Sequence, residues 1–264
     1  FSLTLGEDIN FSVSWFHRFS ILFLKRHKFT FFKKPIEDHQ VNFVCTGDGQ
    51  REKLISSPSV REKWWNRICL ALTGDEGRRH YYNLENLEKR FVLFDEILHR
   101  LSNPTAVALA MFLQHLHYDP RIPGISEELT LATLEEFIMD AEQAVPEVVS
   151  DLRKLTEAAL INSTPVHLTP NATGTSDVHY FLDIEMATLG SSSSEYADTL
   201  AMMRNEYGCT SDDDYFELRL KVLRYFLQIP NIYATEEFRS RYDTQARNNI
   251  IKEISNIENR VKNG

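Results

Sequence analysis

Apolar residues spaced three and four positions apart constrain the fold of this chain more than any other feature. One stretch repeats this spacing at Leu84, Leu87, Phe91, Phe94, Leu98 and Leu101. Such residues share one face of an α-helix, because positions three and four apart are neighbours on the helix surface. Similar stripes recur towards the C-terminus, without a convincing strand pattern. The sequence therefore predicts an all-α fold, a multi-helix bundle of about nine helices in a single domain.

Charge and cysteine content narrow the classes of function. The 264 residues carry a formal net charge of −9, whereas binding to nucleic acid or a membrane surface needs a basic face. We therefore expect no nucleic-acid partner. The three cysteines, Cys45, Cys69 and Cys209, have no zinc-site spacing. They are interpreted as reduced thiols of an intracellular protein.

The N-terminal region differs from the rest of the chain. Residues 9–36 contain no Asp or Glu, and they mix aromatic and aliphatic residues with Arg and Lys. This composition is typical of organelle-targeting segments, and a leader without function is the alternative. Charges interrupt the apolar runs, so no membrane span is expected. We predict a partly disordered leader and linker over residues 1–59 and a helical domain over 60–264. The protein is then cytoplasmic, or mitochondrial if the leader is a transit peptide.

A central apolar segment carries unexpected polar side chains. The stretch ALAMFLQHLHYDP, residues 108–120, belongs to a predicted helix over residues 105–117 that is apolar on nearly every face. Gln114, His115 and His117 lie within it, where a buried helix favours aliphatic residues. Buried polar groups need hydrogen-bond partners, so these side chains predict a polar pocket inside the bundle.

Residue types also predict helix ends further along the chain. A helix is expected to end at Gly190, which is interpreted as the C′ residue that follows the helix. The serines at 191–194 are expected to cap the next helix. The acidic run at 212–214 is interpreted as the first turn of a further helix rather than as a metal site.

Six segments together resemble a known family. They are, in order, RRHYYNLENL, FLQHLHYDP, FLDIEMATLG, MRNEYG, NIYATEEF and ARNNIIKEI. Their order and spacing are similar to those of a family of predicted metal-dependent HD-superfamily phosphohydrolases, from about Trp64 to Ile254. The resemblance implies an HD-domain-like helical fold, a divalent metal ion (Mn, Mg, Co or Fe) and hydrolysis of phosphoesters.

The chain departs from the family pattern at most metal-ligand positions. Tyr82 and Asn86 stand where the family has histidines, and Gln114 and His115 replace the His-Asp pair that names the superfamily. Glu185 replaces a later acid. An amide oxygen or a phenol is a weaker metal ligand than the residue it replaces.

The resemblance also implies which residues form the site. By this reading the catalytic residues are His115 and Asp183, and the metal ligands are His115, Asp183, His80 and His167. The expected pocket residues are Arg79, His80, Tyr82, Asn86, Gln114, Asp119, His167 and Glu185.

Two functions follow from these substitutions. The first is a pseudoenzyme, in which the degenerate metal site leaves a non-catalytic binding or scaffold module without a cofactor. The alternative is a metal-dependent phosphohydrolase with a rebuilt metal site, acting on a nucleotide-like phosphomonoester. The expected partner is a small phosphorylated molecule or another protein.

Overall fold

The structure, a computed structural model, describes residues 58–73, 79–118, 125–141 and 146–263. Every regular element in these ranges is helical, which confirms the all-α prediction. Nine α-helices have ten or more residues, and one further helix is a single turn of four. Of the predicted leader and linker, residues 1–57 lie outside the described ranges. None of the described helices is long and apolar enough to cross a membrane.

The helices follow one another with short connections. Their bounds are α1 Pro58–Thr73, α2 Leu84–Ile97, α3 Pro104–Leu113, α4 Ile125–Asp140, α5 Pro146–Ile161, α6 Pro165–Leu168, α7 Asp177–Met186, α8 Ser193–Glu206, α9 Asp212–Gln228 and α10 Glu236–Asn263. Two 3-10 helices, Leu98–Arg100 and Ala187–Gly190, directly follow α2 and α7.

The chain divides into two compact units. The described part of the smaller unit comprises residues 58–64, 137–141 and 146. In it, the buried Trp64 ring packs edge-on against Phe137, with ring centroids 5.2 Å apart. The indole Nε1 of Trp64 donates a hydrogen bond of 2.8 Å to Asp140 Oδ2.

The larger unit, residues 65–136 and 147–264, has α7 at its centre. Phe181, Leu182 and Asp183 on α7 are completely buried. Helices α2 and α3 both pack against α7. The α2 stripe is buried from Leu84 to Phe94, as its spacing predicts. The stripe ends earlier than expected, because α2 ends at Ile97.

Helix α3 is shorter than the sequence predicts. Asn103 caps it, with the Asn103 side chain accepting a hydrogen bond from Ala106 N, and Pro104 is its first residue. The helix ends at Leu113, so Gln114, His115 and His117 lie on the following turn and not on the helix. In this turn the carbonyl of Leu116 accepts a hydrogen bond of 3.0 Å from Arg79 Nη2. That side-chain donor satisfies the backbone carbonyl outside a helix.

The 3-10 helix Ala187–Gly190 packs against α10. Asn249 of α10 donates hydrogen bonds of 2.9 Å to the carbonyls of Leu189 and Ser191. A Cβ on Gly190 would lie 2.6 Å from Tyr242 Cβ and 2.7 Å from Tyr242 O. A helical segment does end at Gly190, but Gly190 is its last residue rather than the residue that follows it, and its φ lies outside the left-handed range. Glycine is needed there for close approach to α10.

Candidate functional site

A cavity of about 570 Å³ opens within the larger unit. Its wall is built by the turn after α3 and by α5, α7, α8 and α9. Pockets that bind small organic molecules typically enclose roughly 300–1,000 Å³, so the volume suits such a ligand. Of the predicted pocket residues, Tyr82, Gln114 and Glu185 line this cavity, together with His115.

A buried carboxylate with two basic partners lies in the cavity wall. Arg90 Nη1 on α2 lies 2.5 Å from Glu185 Oε1, and His115 Nε2 lies 3.1 Å from Glu185 Oε2. The side chains of Arg90 and Glu185 are each only 10 % exposed. We call Arg90, His115 and Glu185 the basic–acidic triad. Each carboxylate oxygen of Glu185 therefore has its own nitrogen partner.

The triad controls the ionisation of its members. Burial by itself raises the pKa of Glu185, but Arg90 and His115 outweigh burial and hold the pKa at about 2. Burial lowers the pKa of His115, although Glu185 counteracts part of this effect. At neutral pH the charges are therefore a carboxylate and a guanidinium, and a neutral His115 donates from Nε2 to Glu185.

Aromatic rings form a continuous wall beside the triad. The Tyr82 ring contacts both His115 and Tyr118, with ring centroids 4.2 Å and 4.3 Å away. The row of rings continues from Tyr118 to Tyr207, with centroids 6.1 Å apart, and from Tyr207 to Tyr215, with centroids 5.5 Å apart. The Tyr118 hydroxyl donates a hydrogen bond of 2.5 Å to that of Tyr207. We call these four tyrosines with His115 the aromatic wall.

Asp183 belongs to a different environment from Glu185. One carboxylate oxygen, Oδ1, accepts a hydrogen bond of 2.8 Å from Ala234 N. The other, Oδ2, accepts from Thr235 N at 2.8 Å and from Thr235 Oγ1 at 2.6 Å. Burial raises the pKa of Asp183 to about 7, and these hydrogen bonds oppose the rise. Asp183 thus joins α7 to the residues that precede α10.

His167 is a buried neighbour of Asp183. The backbone amide of Thr164 donates to His167 Nδ1 at 3.0 Å, as in a helix capping box. Its Nε2 lies 4.0 Å from Asp183 Oδ1 and has no hydrogen-bond partner among the described residues. Burial lowers the pKa of His167 to about 4, with additional repulsion from His179 and Arg239. His167 is therefore neutral at neutral pH.

The remaining predicted residues have structural contacts. His80 is exposed, and its backbone amide donates a hydrogen bond of 2.5 Å to Glu206 Oε2. The side-chain amide of Asn86 donates a hydrogen bond of 2.7 Å to the carbonyl of Tyr81. Arg79 is bound to the turn after α3, as described above. Asp119 lies outside the described residues.

Of the four predicted metal ligands, only His167 and Asp183 lie next to each other. His115 contacts Glu185, whereas His167 adjoins Asp183. In the ranges that the structure describes, no group of three or more His, Cys, Asp or Glu side chains could hold a metal ion. The physical reason lies on α7, where Asp183 and Glu185 are two positions apart and so project from different sides of the helix.

Sequence reasoning missed Arg90, Tyr207, Tyr215 and Thr235. For Arg90 a signal exists in the sequence. It lies three residues after Leu87 and so next to the core-facing stripe of α2. A cation at such a position needs a buried acidic partner. Thr235 and the two tyrosines carry no comparable signal, because their roles depend on contacts across the fold.

Comparisons with protein-family models, curated proteins and solved structures find no match for this chain. The resemblance to HD-superfamily phosphohydrolases therefore stays a prediction from the six sequence segments.

Proposed function

We propose that this protein is a non-catalytic binding module, built on a helical scaffold similar to that of HD-superfamily phosphohydrolases. One observation carries the proposal, namely the ion pair of 2.5 Å between Arg90 and Glu185. A guanidinium provides the positive charge that a metal ion would provide beside this carboxylate.

The triad opposes cation binding in two ways. Both oxygens of Glu185 are already hydrogen-bonded, one to Arg90 and one to His115. A divalent ion placed on Glu185 would have to displace a buried partner, and it would then lie close to a fixed positive charge. Repulsion between like charges is strong where water is excluded. Removing a buried charge from its partner is also unfavourable by several kcal/mol, roughly 3–5.

Asp183 supports the same conclusion. Its two oxygens accept three hydrogen bonds from Ala234 and Thr235, which satisfies the carboxylate without a metal ion. Hydrolysis by the mechanism that the resemblance implies needs a metal-bound water as nucleophile. The cavity is large enough for a small molecule, and without a metal-bound water as nucleophile it supports binding rather than hydrolysis.

We also propose an intracellular location. Cys69 and Cys209, the two cysteines in the described ranges, are both free thiols. Free thiols are usual in reducing compartments, which include the cytoplasm and the mitochondrial matrix.

Metal analysis and a phosphatase assay test the proposal. The full chain is purified, its bound metal is quantified, and hydrolysis of naphthyl phosphate is followed with added Mn²⁺, Mg²⁺, Co²⁺ or Fe²⁺. We expect neither stoichiometric metal nor turnover above a preparation made from cells without the gene. The exposed His99 provides a matched control for the variant His115→Ala.

The alternative, a working phosphohydrolase, makes the opposite prediction. Stoichiometric metal and turnover that His115→Ala abolishes and His99→Ala retains would contradict the proposal. A metal that binds without turnover, and is unaffected by His115→Ala, would place the ion elsewhere in the chain and leave the triad as described.

A further inference from the structure

The charges on the cavity wall are internally balanced. Glu185 is paired with Arg90, as described above. Arg219, on α9, lies 2.7 Å from Glu253 Oε1 through Nε and 3.0 Å from Glu253 Oε2 through Nη2. The side chains of Arg219 and Glu253 are only 12 % and 7 % exposed. Among the described lining residues, every Glu or Arg side chain therefore has an oppositely charged partner.

This balance determines which ligands the cavity favours. A phosphate or carboxylate group that enters it loses its hydration and finds no free cation on the described wall. Desolvating an unpaired ion is strongly unfavourable. An uncharged ligand avoids this cost.

The rest of the wall favours aromatic ligands. The aromatic wall presents successive rings, and the cavity lining also includes apolar side chains, among them Leu160, Met186, Met203, Leu218 and Phe226. Stacked or edge-on ring pairs attract each other beyond the effect of burying their surface. Methionine sulfur also packs favourably against aromatic rings. Hydroxyl groups of tyrosines provide neutral hydrogen-bonding partners.

We propose that the cavity binds an uncharged small molecule with an aromatic ring system, which packs against the aromatic wall at Tyr82. This inference rests on the proposed function, since it names the ligand class of the same cavity. It differs from the phosphorylated ligand that the family resemblance implies.

Three probes of equal ring size test the ligand class. Binding of naphthol, naphthyl phosphate and naphthalene sulfonate to the full chain is measured by calorimetry. We expect naphthol to bind at least about tenfold more tightly than either anion. A tenfold difference in affinity corresponds to about 1.4 kcal/mol, and desolvating the unpaired charge costs more than that. Equal or tighter binding of an anion, or no saturable binding of naphthol, overturns the inference.

The same probes distinguish this inference from the proposed function. Conversion of naphthyl phosphate to naphthol would contradict the proposed function. A preference for the anionic probes without turnover would contradict only the ligand class.

Two pairs of variants test where the ligand binds. Tyr82→Leu removes the ring of the aromatic wall that contacts both His115 and Tyr118, and Tyr225→Leu removes an exposed tyrosine of α9. We expect the first to weaken naphthol binding about threefold to tenfold and the second to leave it unchanged.

The second pair changes exposed positions, which a folded chain tolerates. Leu218 lines the cavity and is 48 % exposed, whereas Ile251 on α10 is 55 % exposed. We expect Leu218→Asp, but not Ile251→Asp, to weaken naphthol binding. Unchanged binding in both Tyr82→Leu and Leu218→Asp places the probe outside this cavity and overturns the inference.

Discussion

At the scale of single residues, the identity of a side chain matters less than the partner it meets. Glu185 and Asp183 are both buried acids on α7, yet the pKa of Glu185 is lowered to about 2 and that of Asp183 is raised to about 7. Glu185 has a guanidinium beside it, whereas Asp183 is stabilised by hydrogen bonds from backbone and hydroxyl groups. Only Glu185 is in a direct ion pair with a guanidinium, and such a pair has the stronger effect on the pKa.

The low pKa of Glu185 predicts how stability depends on pH. Its ordinary value is 4.5 and its folded value is about 2. A lowered pKa means that ionised Glu185 stabilises the folded state above the ordinary value, and this contribution is lost as pH falls from 4.5 towards 2. Breaking a buried ion pair by removing one partner typically costs roughly 3–5 kcal/mol, which sets the scale of the expected effect.

Urea unfolding of Glu185→Gln over this pH range measures the contribution. We expect the variant to be less stable than the unaltered chain at neutral pH, and the two to converge as the solution is acidified. Glu258→Gln provides the control, because Glu258 forms an exposed ion pair with Arg224 that contributes little. If the free energies of unfolding of Glu185→Gln and of the unaltered chain instead differ by the same amount at every pH, that result would contradict the lowered pKa of Glu185.

At the scale of secondary structure, the 3-10 helix Ala187–Gly190 packs closely against α10. Gly190 ends the 3-10 helix where it meets Tyr242, and Asn249 binds the carbonyls on either side of Gly190. The contact positions the end of α7, which carries Glu185. Packing at Gly190 therefore helps to hold one wall of the cavity.

A single methyl group at Gly190 tests this packing. In Gly190→Ala the new Cβ would overlap both the Cβ and the backbone carbonyl of Tyr242, so one of the two elements must shift. We expect a loss of about 1–3 kcal/mol in the free energy of unfolding, measured in urea. Gly208→Ala is the control, because its Cβ would meet only Asn205 O, at 3.0 Å. A Gly190→Ala protein as stable as the Gly208→Ala protein would show that α10 is not packed this closely.

At the scale of the whole molecule, burial is distributed unevenly among the helices of the larger unit. Five of the ten residues of α7 are buried, compared with two of the seventeen residues of α9. Regions with few buried contacts open locally, whereas central helices exchange their amide protons only when the fold opens globally.

Hydrogen exchange followed by mass spectrometry measures this difference. We expect peptides from α7 to exchange most slowly and to share the free energy of global unfolding. Peptides from α9 are expected to exchange faster, by local opening. The Gly190→Ala protein provides an internal comparison. In it, the free energy of opening measured by amide exchange in α7 should fall by the same amount as the free energy of unfolding measured in urea. Equal protection of α9 and α7 would contradict the central position of α7.

Much of the helical architecture was predictable from residue types alone. The Leu84, Leu87, Phe91 and Phe94 stripe is buried as its spacing predicts. Ser192, one of the four serines expected to cap α8, accepts a hydrogen bond from Glu195 N. Ser211 caps α9, and the acidic run follows in its first turn. These signals are local, because capping and periodicity involve residues within a few positions of one another.

The candidate site was predictable only in part. Tyr82, Gln114, His115 and Glu185 do line one cavity, although Gln114 and His115 lie on a turn and not on the expected helix. The other predicted site residues in the described ranges do not line this cavity. His80 became exposed, and Asp183 and His167 formed a separate buried pair.

The chain by itself determined an all-helical fold with polar residues near its centre, since periodicity and capping are properties of neighbouring positions. Tertiary structure alone decided that Arg90 neutralises Glu185 across 95 positions of sequence and that Asp183 turns towards the start of α10. The physical reason is that a buried charge is stabilised by whichever partner the packed helices bring within reach, and that distance in space is not encoded in local spacing.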